Sequence, residues 1–334
     1  MLAITTGDPG GVGPEISLVV ALEARQRVSL ILFGDAAWLE ARGRALGGAA
    51  SDFVRVDKRG PYQLPPGKIA LADVGASWDA QALSHAPTAA GGEAQLRALD
   101  AAIDAALAGH VRAIVTAPMS KAAVNLAGHD FIGHTEHLAQ RAGLADDDVT
   151  MMFLGPKLRV ALVTTHIAIA DAPTEITAKR VERTVVHLGE ALARVPSAKP
   201  PLLVVAGLNP HAGEGGLFGD EEPRLIDPGR RAAAQREPFR SGRVRLLEAV
   251  VPAETAFRQA ASGQIDAIAA MLHDQATIAS KLLDWGQAVN VTWGLPFVRT
   301  SVDHGVAYDA ARDGNADAEG MRSALRLAEQ LTRA

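Results

Sequence analysis

The chain of 334 residues contains no cysteine, which excludes disulfides and thiolate metal sites and leaves His, Asp and Glu as the available metal ligands. Aromatic residues make up only 4% of it, so a core must be assembled from Ala, Val, Leu and Ile. That mixture suits parallel strands covered by small-residue helices better than an aromatic-rich β-sandwich. No run of about 18 apolar residues is present to span a membrane. The opening MLAITTGDPGG lacks the basic region and long apolar stretch of a secretory signal, so the cytoplasm is the expected location. Basic excess is missing too: 33 Lys and Arg stand against 38 Asp and Glu, with no basic stripe, which argues against a nucleic-acid partner.

What is present is an alternation of short β-rich runs and longer helical patterns. Strands are predicted at Leu2–Thr6, Val28–Phe33, Ile114–Ala117, Val149–Leu154, Arg159–Thr165, Leu202–Ala206 and Ile265–Met271, and helices at Pro14–Gln26, Gly92–Ala108, Thr177–Arg194 and Asp317–Arg333. This order implies an α/β fold with a mainly parallel sheet. Several of the strands lack strict apolar/polar alternation, as expected when both faces are covered. Residues 55–66 read as a surface excursion, and 207–222, with five glycines, as a functional loop or flap. Two α/β domains are expected, 1–128 joined by 300–334, and 129–299.

Several segments have the residue types that chemistry needs. Gly7-Asp8-Pro9-Gly10-Gly11-Val12-Gly13-Pro14-Glu15 joins a strand to a helix; its glycines let backbone approach a ligand, and the helix N-terminus favours an anion. It is neither the Rossmann pattern nor a P-loop, and it also reads as a plain tight turn. Thr116-Ala117-Pro118-Met119-Ser120-Lys121 sits at a strand end, where open α/β sheets bind ligands, although Lys121 is equally a solvated helix-start lysine. Gly133-His134-Thr135-Glu136-His137 offers a hydroxyl and an imidazole for phosphate or carboxylate oxygens, while Thr135 also reads as a helix cap and His137 as structural.

Three histidines stand out: His166, His211 and His273, each following an apolar strand and so falling near a carboxyl end where separate loops converge. Three imidazoles with open positions make a catalytic metal site, with Asp274 placed to orient a ring. His85, His110, His129 and His187 read as structural or solvated, and His304 lies in a polar turn that could line a site. Lys281, Asn290 and Arg299 combine a cation, an amide and a guanidinium suited to a carboxylate and a phosphate. A helix-face lysine and a loop arginine paired with Asp303 are the plainer alternative.

These pieces together resemble the 4-hydroxythreonine-4-phosphate dehydrogenase family of vitamin B6 synthesis: GDPGGVGPE, TAPMSK, GHTE, VALVTTHI, GLNPHAGEGG, AMLHDQ and NVTWGLPFVRTSVDHG, in family order from residue 7 to residue 305. The resemblance implies two α/β/α domains like those of isocitrate and isopropylmalate dehydrogenases, and a homodimer with the active site at the subunit interface. It implies that His166, His211 and His273 bind a divalent metal (zinc, cobalt or magnesium) completed across the subunit boundary. By the same resemblance His134, Thr135, Lys281, Asn290 and Arg299 contact a small phosphorylated substrate, and NAD or NADP serves as cofactor. Departures from the family pattern are Ala276 for glycine after HDQ, Glu254 for an aspartate, Trp293 for an aliphatic, Leu217 where many members have His, and His137 where Phe is usual. None removes a metal ligand.

The implied reaction is oxidation of 4-phosphohydroxy-L-threonine to 2-amino-3-oxo-4-phosphooxybutanoate. This β-keto acid loses carbon dioxide to give 3-amino-2-oxopropyl phosphate in pyridoxal phosphate synthesis. Lys281 is the catalytic candidate, as proton acceptor or carboxylate clamp. Alternatives are a dehydrogenase for phosphothreonate or phosphoerythronate and, more distantly, a three-histidine metal-dependent hydrolase. The family also includes enzymes for a cyclic dihydrodiol dicarboxylate, and the intact GHTE segment argues against that substrate, which has no phosphate to hold.

Overall fold

In the computed structural model, which describes residues 1–333, the apolar runs become covered strands. The chain passes through β1 (Leu2–Thr5), α1 (Gly13–Ala24), β2 (Leu30–Gly34), α2 (Ala36–Ala45), β3 (Phe53–Val56), β4 (Ile69–Asp73), α3 (Ala89–Leu107), β5 (Ala113–Thr116), α4 (Lys121–Leu126) and α5 (His134–Arg141). It continues through β6 (Thr150–Leu154), β7 (Arg159–Leu162), α6 (Ala172–Glu175), α7 (Ala178–Arg194), β8 (Leu202–Ala206), α8 (Asp227–Ala234), β9 (Arg245–Val251), α9 (Ala253–Ala261), β10 (Ala267–Ala270), α10 (His273–Leu283) and β11 (Val289–Trp293). It ends with β12 (Val298–Ser301), α11 (Tyr308–Arg312) and α12 (Glu319–Leu331). Two units result: Met1–Gly143 with Leu295–Thr332, and Leu144–Gly294.

The first unit holds a parallel sheet in the order β3-β4-β2-β1-β5-β12. Every residue of β1, β2 and β5 is buried, which accounts for the missing alternation. Strand order turns at β1, with β2, β4 and β3 continuing on one side and β5 and β12 on the other. Such a switch point opens a crevice at the carboxyl ends. Helix α3 starts at Thr88, whose side chain accepts from Gly91 N, and it buries Leu99 and Ile103 against Ile31, Phe33 and Ile114. Each such aliphatic side chain contributes roughly 1.5–3 kcal/mol of burial.

The first unit runs to residue 143 and resumes at 295, where sequence reasoning expected 128 and 300. The reason is α5. Its Leu138 is buried in the core beneath α3, His137 Nε2 bonds Asp100 at 2.7 Å, and Arg141 pairs with Asp100 and Asp104.

In the second unit β7, β10, β8 and β9 are parallel neighbours in that order, while β6 pairs antiparallel with both β7 and β11. Helix α7, capped by Thr177, buries Val181, Val185, Leu188 and Leu192 at helical spacing. All seven predicted strands and all four predicted helices are present, with ends shifted by at most three residues. Strands β3, β4, β9, β11 and β12 were not anticipated. β3 and β9 are sheet-edge strands with mixed exposure, so they lack an apolar signature. No helix among the described residues is long and apolar enough to cross a membrane.

Candidate active site

In the first unit the loops after β1, β5 and β12 meet one another. Asp8 N donates to Pro118 O at 3.0 Å, and Val12 N to Val306 O at 3.0 Å. A side chain on Gly7 would strike Pro118 O, one on Gly10 would strike Ser84 O, and one on Gly11 would strike Val306. The glycine run therefore accommodates the chain's own backbone, which is the plain-turn reading. Sequence reasoning missed the polar centre that this loop encloses. Asp8, 1% exposed, accepts from Gly10 N at 2.9 Å, Tyr308 Oη at 2.7 Å and Gln95 Nε2 at 3.2 Å. Gln95 Oε1 in turn accepts from Ser120 N at 2.7 Å. Burial raises the Asp8 carboxyl above its ordinary range, and these hydrogen bonds oppose the rise. No motif signals Gln95, a lone amide in an alanine-rich helix.

A cluster of basic side chains, Arg299, His137 and Lys121, surrounds His134 at the start of α5. Arg299 sits within β12, not on a loop, and is 2% exposed. Its Nε and Nη2 donate to Thr116 Oγ1 at 3.2 and 2.8 Å. Burial pulls the guanidinium down to about 9, and Glu136 pushes back. His134 is largely buried, and its Nε2 is sealed with no hydrogen-bond partner. Burial first, then Arg299, His137 and Lys121, hold His134 well below the usual histidine range, so the ring is neutral at pH 7. The neighbouring cations Arg299 and Lys121 and the first turn of α5 make the local field positive. Thr135 lies inside the first turn and does not cap it; the cap position is Gly133.

The three singled-out histidines all belong to the second unit. His166 follows β7, His273 opens α10 after β10, and His211 follows β8, so they stand at the carboxyl ends of three adjacent parallel strands. The rings of His166 and His273 lie 5.7 Å apart between centres. Two imidazoles on one tetrahedral ion, with Zn–N near 2.0–2.1 Å, place their ring centres about 5 Å apart, so this pair fits a shared metal. His273 Nδ1 bonds Asp274 Oδ1 at 2.7 Å, which leaves Nε2 as the lone-pair donor. The structure does not gather the third ring into this pair: among the described residues no group of three His, Asp or Glu side chains in one chain is placed to hold a metal.

His211 lies on a backbone that L-residues avoid. His211, Ala212 and Glu214 have φ of 53, 52 and 44°, with Gly213 and Gly215 also left-handed. Each non-glycine residue in this conformation costs about 1–2 kcal/mol, so surrounding contacts must hold the turn. The Thr255 hydroxyl holds the Glu254 carboxyl, at the start of α9, below its ordinary range, with His211 a lesser contributor. Lys281 is exposed on α10 with its Nζ 5.6 Å from the Trp285 ring, and Asn290 is half-buried in β11.

The other histidines have ordinary partners: His85 with Gly10 O, His110 against Tyr62, His129 with Glu93, His187 with Thr150, and His304 with Gly305 O. Trp293, an unusual residue at its position, is 7% exposed. It donates Nε1 to Glu190 at 2.9 Å and stacks under Arg194. That departure therefore serves packing against α7.

The family model described as pyridoxal phosphate biosynthetic protein PdxA matches residues 26–328. A 4-hydroxythreonine-4-phosphate dehydrogenase of Geobacter metallireducens is 43% identical, over 99% of this chain and 95% of its own. A D-threonate 4-phosphate dehydrogenase of Salmonella typhimurium is 38% identical, over 99% and 98%. The crystal structure of a 4-hydroxythreonine-4-phosphate dehydrogenase from Klebsiella pneumoniae superposes with a TM-score of 0.79 at 35% identity, covering 100% of this chain and 99% of that one. An isocitrate dehydrogenase from Methylococcus capsulatus, at 13% identity and a TM-score of 0.51, shares the fold. A match over nine-tenths of the sequence, together with relatives near 40% identity from end to end, makes this chain a dehydrogenase of the PdxA family of pyridoxal phosphate biosynthetic proteins.

Proposed function

We propose that the chain oxidises 4-phosphohydroxy-L-threonine with NAD or NADP, giving 2-amino-3-oxo-4-phosphooxybutanoate, which decarboxylates to 3-amino-2-oxopropyl phosphate. The observation that carries the chemistry is the His166–His273 pair at adjacent strand ends, with His211 at the end of the next strand. His166 and His273 of one chain would hold a divalent ion, zinc, cobalt or magnesium, with His211 from a second copy completing the set. Two or three imidazoles favour the softer ions. When bound, the ion supplies Lewis-acid charge that lowers the pKa of the substrate hydroxyl, and the nicotinamide supplies the hydride acceptor.

The chain's own groups bind and orient. Arg299, His134 and the Thr135 hydroxyl at the start of α5 hold the phosphate, whose negative charge offsets the burial of Arg299. Asn290 holds the carboxylate end, and Lys281 Nζ serves either as a second clamp there, in its ammonium form, or as the proton acceptor for the hydroxyl at C3, in its free-amine form. The exposed apolar residues support a homodimer. Ile278, Leu282 and Trp285 are 60, 80 and 77% exposed and share one face with Lys281, while Ile169 and Leu217 follow His166 and His211. Such a patch around exposed histidines is what a second copy would cover.

The Salmonella relative gives a second reading, oxidation of D-threonate 4-phosphate, which differs at C2 by a hydroxyl in place of the amine. Full-length dehydrogenase relatives favour oxidation over the metal-dependent hydrolysis that three histidines also allow. The test follows absorbance of reduced nicotinamide with Co2+ and a panel of 4-phosphohydroxythreonine, phosphothreonate and phosphoerythronate. The first substrate should give the highest kcat/KM with NAD or NADP; a preference for phosphothreonate would install the second reading.

A further inference from the structure

The second unit contains one heavily built polar centre that the reaction does not use directly. Glu222 is 4% exposed, and its Oε1 accepts from Leu208 N at 2.9 Å and from Asn209 N at 2.8 Å. Its Oε2 accepts from Asn209 Nδ2 at 3.0 Å, and that same amide nitrogen donates to Glu221 Oε2 at 2.7 Å. Three hydrogen bonds thus run to Glu222 from the two residues that lead into Pro210 and His211. The left-handed turn closes over the carboxylate: a Cβ on Gly213 would lie 2.9 Å from Glu222 Oε2, and one on Gly207 would lie 3.2 Å from Oε1. Glycine at both positions is what lets the backbone wrap this acid so tightly.

A second tie runs to the neighbouring strand end. Gln275 Oε1 accepts from Met271 N at 3.1 Å and Leu272 N at 3.0 Å, closing the turn that precedes His273. Its Nε2 donates to Gly207 O at 3.2 Å. The segment that carries His211 and the helix start that carries His273 are therefore joined through one amide side chain.

We propose that Glu222 is a positioning residue for His211. Its carboxylate clamps residues 208–209 and fixes the left-handed turn that presents the imidazole, and Gln275 registers that clamp against His273. The role rests on the reading of His211 as a metal ligand. A glutamine at 222 has a single acceptor oxygen, so its NH2 group must face either the two backbone N–H groups or the Asn209 amide. Turning Asn209 over to compensate would point its oxygen at the Glu221 carboxylate.

The experiment compares full-length, metal-stripped wild type, Glu222→Gln and His211→Ala. It reads amide hydrogen exchange at Leu208 and Asn209, Co2+ affinity by calorimetry, and the visible spectrum at saturating Co2+. Glu222→Gln should exchange at least about tenfold faster at both amides, bind Co2+ roughly 10–100-fold more weakly and show an altered spectrum. A purely structural role would lower the melting temperature and leave affinity and spectrum of the folded protein unchanged. Should Glu222→Gln not fold, Asn209→Ala removes one bond of the clamp and should move the same readouts in the same direction by a smaller factor. Wild-type exchange and Co2+ binding in the variant, beside a defective His211→Ala, would overturn the role of Glu222. A His211→Ala protein that binds Co2+ like wild type overturns the metal reading, and with it the purpose assigned to Glu222; that control tells the two failures apart.

Discussion

Replacing Arg299 by methionine separates a binding residue from a structural one, because the two roles predict opposite balances. The guanidinium is 2% exposed and held near 9. Against an ordinary value of 12.5 that is about 5 kcal/mol of penalty for keeping it charged in place, at about 1.4 kcal/mol per pH unit. That figure already includes the attraction of Glu136; the bonds to Thr116 Oγ1 recover part of it, at roughly 1.5–3 kcal/mol for each charge-assisted bond. Methionine fills a similar volume without the charge, so Arg299→Met should change stability of the unliganded protein by less than about 2 kcal/mol in either direction. Anion binding should suffer far more. Loss of one partner in a buried charged pair costs about 2–5 kcal/mol, which is a roughly thirtyfold to few-thousandfold rise in KM. Urea unfolding without ligand gives the first quantity, and the rise in melting temperature caused by inorganic phosphate gives the second. A variant that loses more than about 3 kcal/mol of stability yet keeps the phosphate response would refute the assignment and make Arg299 a strand-packing residue.

The exposed face of α10 leads to a prediction about assembly. Leu282 is 80% exposed, so Leu282→Glu should leave the single chain's unfolding free energy within about 0.5 kcal/mol, while sedimentation should show loss of the proposed dimer and assays loss of turnover. An active, dimeric variant would remove α10 from the interface. His187 sets an acid limit. Burial first, then Arg183, hold it at about 4 against an ordinary 6.5, so the folded ring stays neutral where the unfolded one takes a proton. Its contribution is complete above pH 6.5 and is lost as pH falls toward 4, by at most about 3 kcal/mol. Urea melts across that range should show His187→Gln with a flatter pH slope than wild type; equal slopes would place the acid sensitivity elsewhere.

Much of this protein is decided by residue order alone. Apolar runs such as LAIT and LLVVA, separated by alanine-rich helices, leave few alternatives to a covered parallel sheet, because both faces of each strand must be apolar. A histidine directly after such a run falls at a carboxyl strand end, so the neighbourhood of His166, His211 and His273 follows from local pattern. Local pattern does not say which strands become neighbours. Only the tertiary structure places β10 between β7 and β8, bringing His273 beside His166 without closing the set within one chain. The glycines of the first loop had two meanings in sequence, a ligand cradle or a tight turn. The close approach of Pro118, Ser84 and Val306 decided for the turn, since steric contact depends on segments far away along the chain. Burial is likewise a property of the fold: Arg299 and Glu222 are ordinary charged letters until packing removes their water, and their chemistry begins there.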